Sequence, residues 1–395
     1  MLSRMRGILS PTMVISVTTE IVPGERRVAL TPAVLPQLIK AGLQALVQRG
    51  AGERAGFPDA EYASRGATIV SSREEAFGAD VVLQIWTCAA KDEAAADISL
   101  LREGGTVIGL CDPLGSRERI ERVASTRVTS FALELIPRIT RAQSMDVLSS
   151  QSTIAGYKAA VLAADYLPRI FPMMMTAAGT LAPAKVLVIG AGVAGLQAIA
   201  SSRKMGAVVS GYDIRPAVKE QVQSLGARFV ELELEAGEAE GKGGYARAMD
   251  EAFYARQREL LSRAVAESDV VITTAAVPGK RSPVLVTAEM VRKMSSGSVI
   301  VDLAAERGGN CELTRADETV ITPEGITILG PTNLPGTVPY HASQMYAKNI
   351  ATFLLNMMKD GLLKVNMDDE IIRDTLLTRA GEIVNPRLRE TVAAS

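Results

Sequence analysis

Gly190, Gly192 and Gly195 interrupt an apolar run that begins at Val186, and Asp213 follows 23 residues after Gly190. Glycines so spaced at the end of a strand do one kind of chemistry well: they bring free backbone N–H groups against a phosphate. Gly190 would make the tight turn, Gly192 would let a pyrophosphate reach the backbone, and Gly195 would let the next helix sit against the sheet. Asp213 ends the following apolar run, 208–212, where a carboxylate accepts hydrogen bonds from an adenosine ribose. An unpaired carboxylate there would repel a 2′-phosphate, so the pattern favours NAD(H) over NADP(H). Val193 and Ala194 in the turn, and Ile214 and Arg215 beyond the acid, extend the expected nucleotide contacts. Thr274, Ala275 and Gly279, after a later apolar run, complete them. The plain alternative is a helix–sheet turn with no ligand.

Such a motif needs strands on both sides of a helix, and the chain supplies that unit repeatedly. Strands are expected over 13–17, 45–47, 68–70, 80–86, 106–110 and 129–135, the last closing a first sheet. Helices lie between them, one of which starts with Thr31 as N-cap and Pro32 in the first turn. The stretch 90–101 reads as mostly helix. Residues 137–156 are polar and rich in hydroxyls and amides, and read as a loop that faces solvent or lines a ligand site. A long helix, 157–171, leads to the glycine unit (strands 186–189 and 208–212), a helix over 217–225, and strands 270–274, 298–303 and 325–329, the last ending a second sheet. The helix 343–359 returns the chain to the first domain. The reading is an α/β protein of two Rossmann-like domains with mostly parallel sheets, the second binding the dinucleotide, joined by long crossing helices. The domains are 13–156 with 345–390, and 157–344; residues 1–12 read as a flexible leader.

Composition narrows the class. With 395 residues, 47% of them hydrophobic, the chain can build two cores. Forty-three Lys and Arg balance 44 Asp and Glu, which points away from nucleic acid and anionic membrane surfaces. Three scattered cysteines make neither a disulfide framework nor a metal site, and suit a reducing compartment. No uninterrupted apolar stretch reaches transmembrane length.

The stretches 137–157 (PRITRAQSMDVLSSQSTIAGY), 173–195, 219–226 (KEQVQSLG) and 300–310 (IVDLAAERGGN) carry a likeness. The sequence resembles the soluble NAD(H)-binding domain I of proton-translocating nicotinamide nucleotide transhydrogenases, in the form made as a separate alpha subunit. The resemblance implies hydride exchange between NAD(H) on this chain and NADP(H) on a partner component, with a separate membrane component conducting protons. It also implies a homodimer, soluble alone and held peripherally at the cytoplasmic side of the inner membrane through its partners. Gln143 and Asp146 would orient the carboxamide, Arg138 would hold NAD(H) or seat the partner, Ser149 and Tyr157 would line the pocket, and Tyr245 would fold over bound nucleotide as a lid. Hydride passing between two carbons needs no side-chain acid, base or metal, only contact between two rings and exclusion of water. A single histidine, His341, fits that, and is expected at the surface or a hinge.

Alanine dehydrogenase shares several of these motifs, including Arg27 to Pro32 (RVALTP). It must protonate a keto acid, which calls for a lysine and a histidine in the first domain. The strand 80–86 has no lysine and the segment 110–114 no histidine, so Arg27 would have nothing to work with. Residues 17–20 (VTTE) depart from both families, which would have a proline–lysine pair before the glutamate. A third reading, an NAD(H)-sensing module, predicts nucleotide binding without hydride transfer.

Overall fold

The computed structural model describes residues 13–231, 251–277, 279–359 and 361–393. The expected leader and Tyr245 lie outside the described residues. The chain forms two compact units: one runs up to Gln151 and resumes at Gly336, and the other spans Ser152–Pro335.

The first unit is built on strands β1 (Val14–Val17), β2 (Gln44–Gln48), β3 (Thr68–Val70), β4 (Val81–Trp86), β5 (Thr106–Leu110) and β6 (Thr129–Ala132). Across the sheet the order is β6-β5-β4-β1-β2-β3, all parallel. Strands covered on both faces should be apolar at nearly every position, and β4 and β5 are. Val81, Leu83 and Ile85 face one core with Ile108 and Phe131, while Val82 and Val107 face the other with Phe77. The helix Pro339–Met357 covers the first of these, burying Tyr346, Ile350, Phe353 and Leu354.

Several expectations need correction. The strand 129–135 does not close this sheet: β6 stops at Ala132, and the tail strands Leu376–Arg379 and Glu382–Ile383 extend the sheet antiparallel beyond it. Asp92–Leu100 is a 3-10 helix, with Asp97 turned inward to Arg73 and Gln84. Thr31 precedes its helix but makes no side-chain cap, because the Val34 N–H that it would hold is taken by the Thr31 carbonyl at 3.2 Å in a 3-10 first turn. The polar stretch is not a loop throughout. Thr140–Met145 is a 3-10 turn, and a helix already begins at Val147 and runs to Tyr166. The returning helix likewise starts earlier than expected, at Pro339.

The second unit holds a hairpin, β7 (Met174–Thr176) with β8 (Gly179–Leu181), and then β9 (Lys185–Ile189), β10 (Val208–Tyr212), β11 (Arg228–Phe229), β12 (Val270–Thr273), β13 (Val299–Asp302), β14 (Thr319–Ile321) and β15 (Thr327–Leu329). The sheet order is β11-β10-β9-β12-β13-β15-β14, parallel except for β14. Strand 325–329 therefore does not end the sheet; the unforeseen β14 lies outside it. Val186 and Val188 of β9 join the core under the helix Val193–Lys204, and Leu187 and Ile189 join the opposite one. The order reverses beside β9, where the chain leaves for β10 on one side and later returns to β12 on the other. In open parallel sheets that is where ligands bind, at the carboxyl ends of the strands.

Candidate functional site

The glycine turn sits at that reversal. Gly190 has φ +93°, and a Cβ on it would lie 2.8 Å from Thr274 Oγ1 and 3.1 Å from Ala275 N. A Cβ on Gly195 would lie 1.9 Å from the Gly190 carbonyl, so only glycine lets the helix start this close to the strand. Gly192 differs: a Cβ there would meet nothing within 4 Å. Two glycines are thus required by the protein's own packing, and the third leaves an open cradle above the start of the helix Val193–Lys204, where free N–H groups attract a phosphate. That cradle fits a pyrophosphate. Val193 is exposed in the first helical turn and Ala194 beside it is half-buried. Gly156, which no motif in the sequence singles out, also belongs here, since a Cβ on it would lie 2.1 Å from the Ala194 carbonyl.

Asp213 stands beside the turn but is not unpaired. Its Oδ2 accepts from Ala191 N and Arg215 Nη2, both at 2.8 Å, and its Oδ1 from Arg215 N and Nε, both at 2.9 Å. Four donors use the capacity of a carboxylate. Contrary to the expectation from sequence, no unpaired carboxylate stands here to repel a 2′-phosphate, because Arg215 covers Asp213. Ribose hydroxyls would have to displace that guanidinium. Ile214 is half-buried against the core between Asp213 and Arg215.

Thr274 Oγ1 donates to the Gly190 carbonyl at 2.9 Å, and Ala275 exchanges both backbone bonds with the Asn310 side chain. Asn310 in turn is tied by its backbone N–H to Asp302, a fully buried carboxylate that also accepts from Thr273 Oγ1, Thr314 Oγ1, Ala304 N and Cys311 N. Asp302 and Asn310 fix the loop after β12; the sequence places Asp302 at a strand end facing the nucleotide crevice, and nothing in it marks Asn310 as its partner. An acidic residue ending a buried apolar strand was the available signal. Gly279, exposed with φ +71°, lies farther along that loop. Tyr157 is 46% exposed on the helix Val147–Tyr166.

The residues expected at the nicotinamide end fall in the first unit, apart from Tyr157. The turn Thr140–Met145 is pinned by Arg141, which grips both oxygens of Asp369 at 2.6 and 3.0 Å, and by Asn349, which donates to the Ser144 carbonyl. The Arg141 bond holds the Asp369 carboxyl down at about 2. Pinning leaves Gln143 exposed, and Arg138 is exposed before it. Asp146 and Ser149 touch directly: Oδ1 accepts from Ser149 N at 2.9 Å, and Oδ2 from Ser149 Oγ at 2.6 Å. Asp146 is the N-cap that starts the helix there.

Arg27 is buried in the first unit. It is 3% exposed, and its guanidinium lies along Glu25, Nε to Oε1 at 2.9 Å and Nη2 to Oε2 at 2.7 Å. Trp86 Nε1 donates to the same carboxylate, and Arg27 Nη1 donates to Gln151 at 2.8 Å. Burial opposes ionisation of Glu25, but the Arg27 charge and hydrogen bonds outweigh it and hold the carboxyl at about 2. Glu20 of the divergent 17–20 segment is buried nearby and accepts from Ile85 N and Trp86 N at 2.7 and 3.1 Å. Burial, with the Glu25 charge adding to it, pushes Glu20 up to about 8. Glu134 accepts from Cys111 N and Asp112 N, and burial pushes it up to about 7. His341 is exposed, edge-on to Tyr340. No cluster of three or more His, Cys, Asp or Glu able to hold a metal occurs among the described residues.

A doubly wound parallel sheet with this glycine cradle and an acid ending the next strand defines the class: dinucleotide-binding α/β proteins. The Alanine dehydrogenase/PNT N-terminal domain matches residues 16–155 and its C-terminal domain residues 159–386, and the chain belongs to that family. It is 45% identical over 380 residues to a polypeptide of NAD(P) transhydrogenase subunit alpha in Rhodospirillum rubrum, covering 95% of this chain and 99% of the relative. Among solved structures it is similar to a transhydrogenase from Sinorhizobium meliloti, with TM-score 0.82 and 42% identity over 95% of this chain and 99% of the other. An L-alanine dehydrogenase superposes with TM-score 0.80 at 26% identity, over 97% and 99% of the two chains.

Proposed function

We propose that this chain is the NAD(H)-binding component of a proton-translocating transhydrogenase. The end-to-end similarity to the Rhodospirillum protein carries the reading, and the open floor at Gly192 supports it. Bound NAD(H) supplies or accepts a hydride at its nicotinamide ring, in exchange with NADP(H) on a partner component. The protein's own work is to bind, orient and exclude water. Gly190, Gly192 and the helix start hold the pyrophosphate. Asp213, once Arg215 has moved aside, holds the adenosine ribose. Gln143 and Asp146 orient the carboxamide, Ser149 and Tyr157 complete the wall, Arg138 seats nucleotide or partner, and Tyr245 closes over the nucleotide.

No helix among the described residues is long and apolar enough to cross a membrane. In this reading the chain works at the cytoplasmic side of the inner membrane, held there by its partners. It works as a homodimer. Every strand residue of the β7–β8 hairpin is exposed, Met175 by 76% and Leu181 by 50%, and a lone hairpin with such a face is marginal in water until something covers it. A second copy is the cover proposed.

Amino-acid dehydrogenation is disfavoured. Glu25 already occupies the forked edge by which Arg27 would grip a keto-acid carboxylate, and β4 carries no lysine.

The test is hydride transfer in a mixture of this protein, a purified NADP(H)-binding transhydrogenase component, NADPH and an NAD+ analogue whose reduced form absorbs distinctly. A parallel reaction holds pyruvate, ammonium and NADH without the partner. Analogue reduction that needs both proteins, with the parallel reaction silent, is expected. Silence in the first with pyruvate-dependent NADH loss in the second would overturn the reading.

A further inference from the structure

Arg27, Glu25 and Gln151 form a buried network to which the hydride-transfer reading gives no task. Gln151 is 8% exposed and lies in the second turn of the helix Val147–Tyr166. Its Oε1 accepts from Arg27 at 2.8 Å, and its Nε2 donates to the Ala342 carbonyl at 3.1 Å and to Ser150 Oγ at 3.3 Å. One side chain thus joins the helix to the segment 25–27 and to the helix Pro339–Met357. Glu25 grips the other edge of the guanidinium and is itself held by Trp86, so Arg27 presents a fixed donor to Gln151.

The first two turns of this helix read VLSSQSTI, with little apolar surface to decide which face turns inward. Val147 is fully buried, but one apolar residue does not set the rotation of a helix about its axis. Directional hydrogen bonds to a buried partner do. Ser149, two residues before Gln151, carries both bonds to Asp146, so the rotation of this turn fixes where the Asp146 carboxylate points.

We infer that Arg27 is a positioning residue: clamped by Glu25 and bonded to Gln151, it sets the rotation of the first turns of this helix and so aims the Asp146–Ser149 pair. The inference rests on the transhydrogenase reading, in which that pair orients the nicotinamide. The cation that could have anchored a substrate acid here anchors a helix.

The experiment uses the two-protein hydride-transfer reaction, with NADH binding and thermal unfolding measured on the same preparations. Gln151→Met keeps the volume but removes the acceptor for Arg27 and the donor to Ala342. Gln151→Glu keeps an acceptor for Arg27 in either protonation state. Arg27→Lys keeps a cation for Glu25 but cannot span Glu25 and Gln151 together. With nucleotides saturating, Gln151→Met and Arg27→Lys are expected to slow transfer about 10- to 100-fold, the scale of a misplacement near 1 Å. NADH affinity should stay within about threefold of the parent, because the pyrophosphate and ribose contacts are intact. Gln151→Glu should recover most of the rate. Parental rates in Gln151→Met, rate losses that only track the unfolded fraction, or failure of Gln151→Glu to recover would each overturn the inference. If Gln151→Met does not fold, Arg27→Lys decides by the same criteria. A parent protein that binds NADH but transfers no hydride would instead sink the functional reading, which separates the two failures.

Discussion

Gly192 and Gly195 lie three residues apart in one turn, and the structure predicts opposite consequences for the same added methyl. At Gly192 the backbone is extended, φ −74° and ψ −164°, and a Cβ meets nothing within 4 Å. Gly192→Ala should therefore change stability by less than about 1 kcal/mol, since the unfolded chain also loses freedom. At Gly195 the methyl would lie 1.9 Å from a backbone carbonyl that cannot swing away. Gly195→Ala should cost about 1–3 kcal/mol or more, as overpacking does. For a unit of this size that lowers the melting temperature by about 2–4 °C per kcal/mol. Binding should divide the other way. In the proposed placement a pyrophosphate oxygen would accept from the turn at about 2.9 Å, closer than a methyl allows, so Gly192→Ala should displace it. Losing two charge-assisted bonds of about 1.5–3 kcal/mol each weakens NADH by at least about 100-fold. Thermal unfolding beside fluorescence titration with NADH measures both. Gly192→Ala binding NADH within about threefold of the parent would refute the placement of the pyrophosphate.

Arg215→Met removes the guanidinium that ribose must displace from Asp213, and NADH should then bind tighter by about 1 kcal/mol, roughly fivefold, in the same titration. Weaker binding would mean that Arg215 moves onto the nucleotide rather than out of its way. Glu20 and Glu134, raised to about 8 and about 7 from an ordinary 4.5, hold protons in the fold that the unfolded chain has released. Their contribution to stability is therefore lost as pH rises from about 4.5 to 8, while that of Glu25, lowered to about 2, is lost as pH falls below 4.5. The melting temperature should fall between pH 5 and 8 and fall less in Glu20→Gln; an unchanged slope there counts against a buried neutral Glu20. Met175→Asp with Leu181→Asp should turn a dimer into a monomer by light scattering, and dimers that persist would place the interface elsewhere.

The sequence alone determined the dinucleotide unit, because the strand, glycine turn, helix and acid follow one another in 29 residues, 185–213, and Gly195 answers the Gly190 carbonyl within that stretch. It also determined the parallel sheets, since strands covered on both faces must be apolar throughout. The absence of lysine from β4 was legible for the same local reason. Tertiary structure decided what depends on residues far apart in the chain. Arg27 meets Gln151 across 124 positions, and nothing at either end announces the other. The start of the helix Val147–Tyr166 was hidden because its first turns are polar, so no apolar periodicity marked them, and its cap, Asp146, read only as a site residue. Strand β14 and the tail strands add themselves antiparallel to sheet edges, a choice made by the hydrogen-bonding edge that each sheet leaves free and not by their own short sequences. Even the pair Asp213 and Arg215, two residues apart, needed the folded turn, because Ala191 N had to arrive beside the carboxylate before its four acceptor positions were filled.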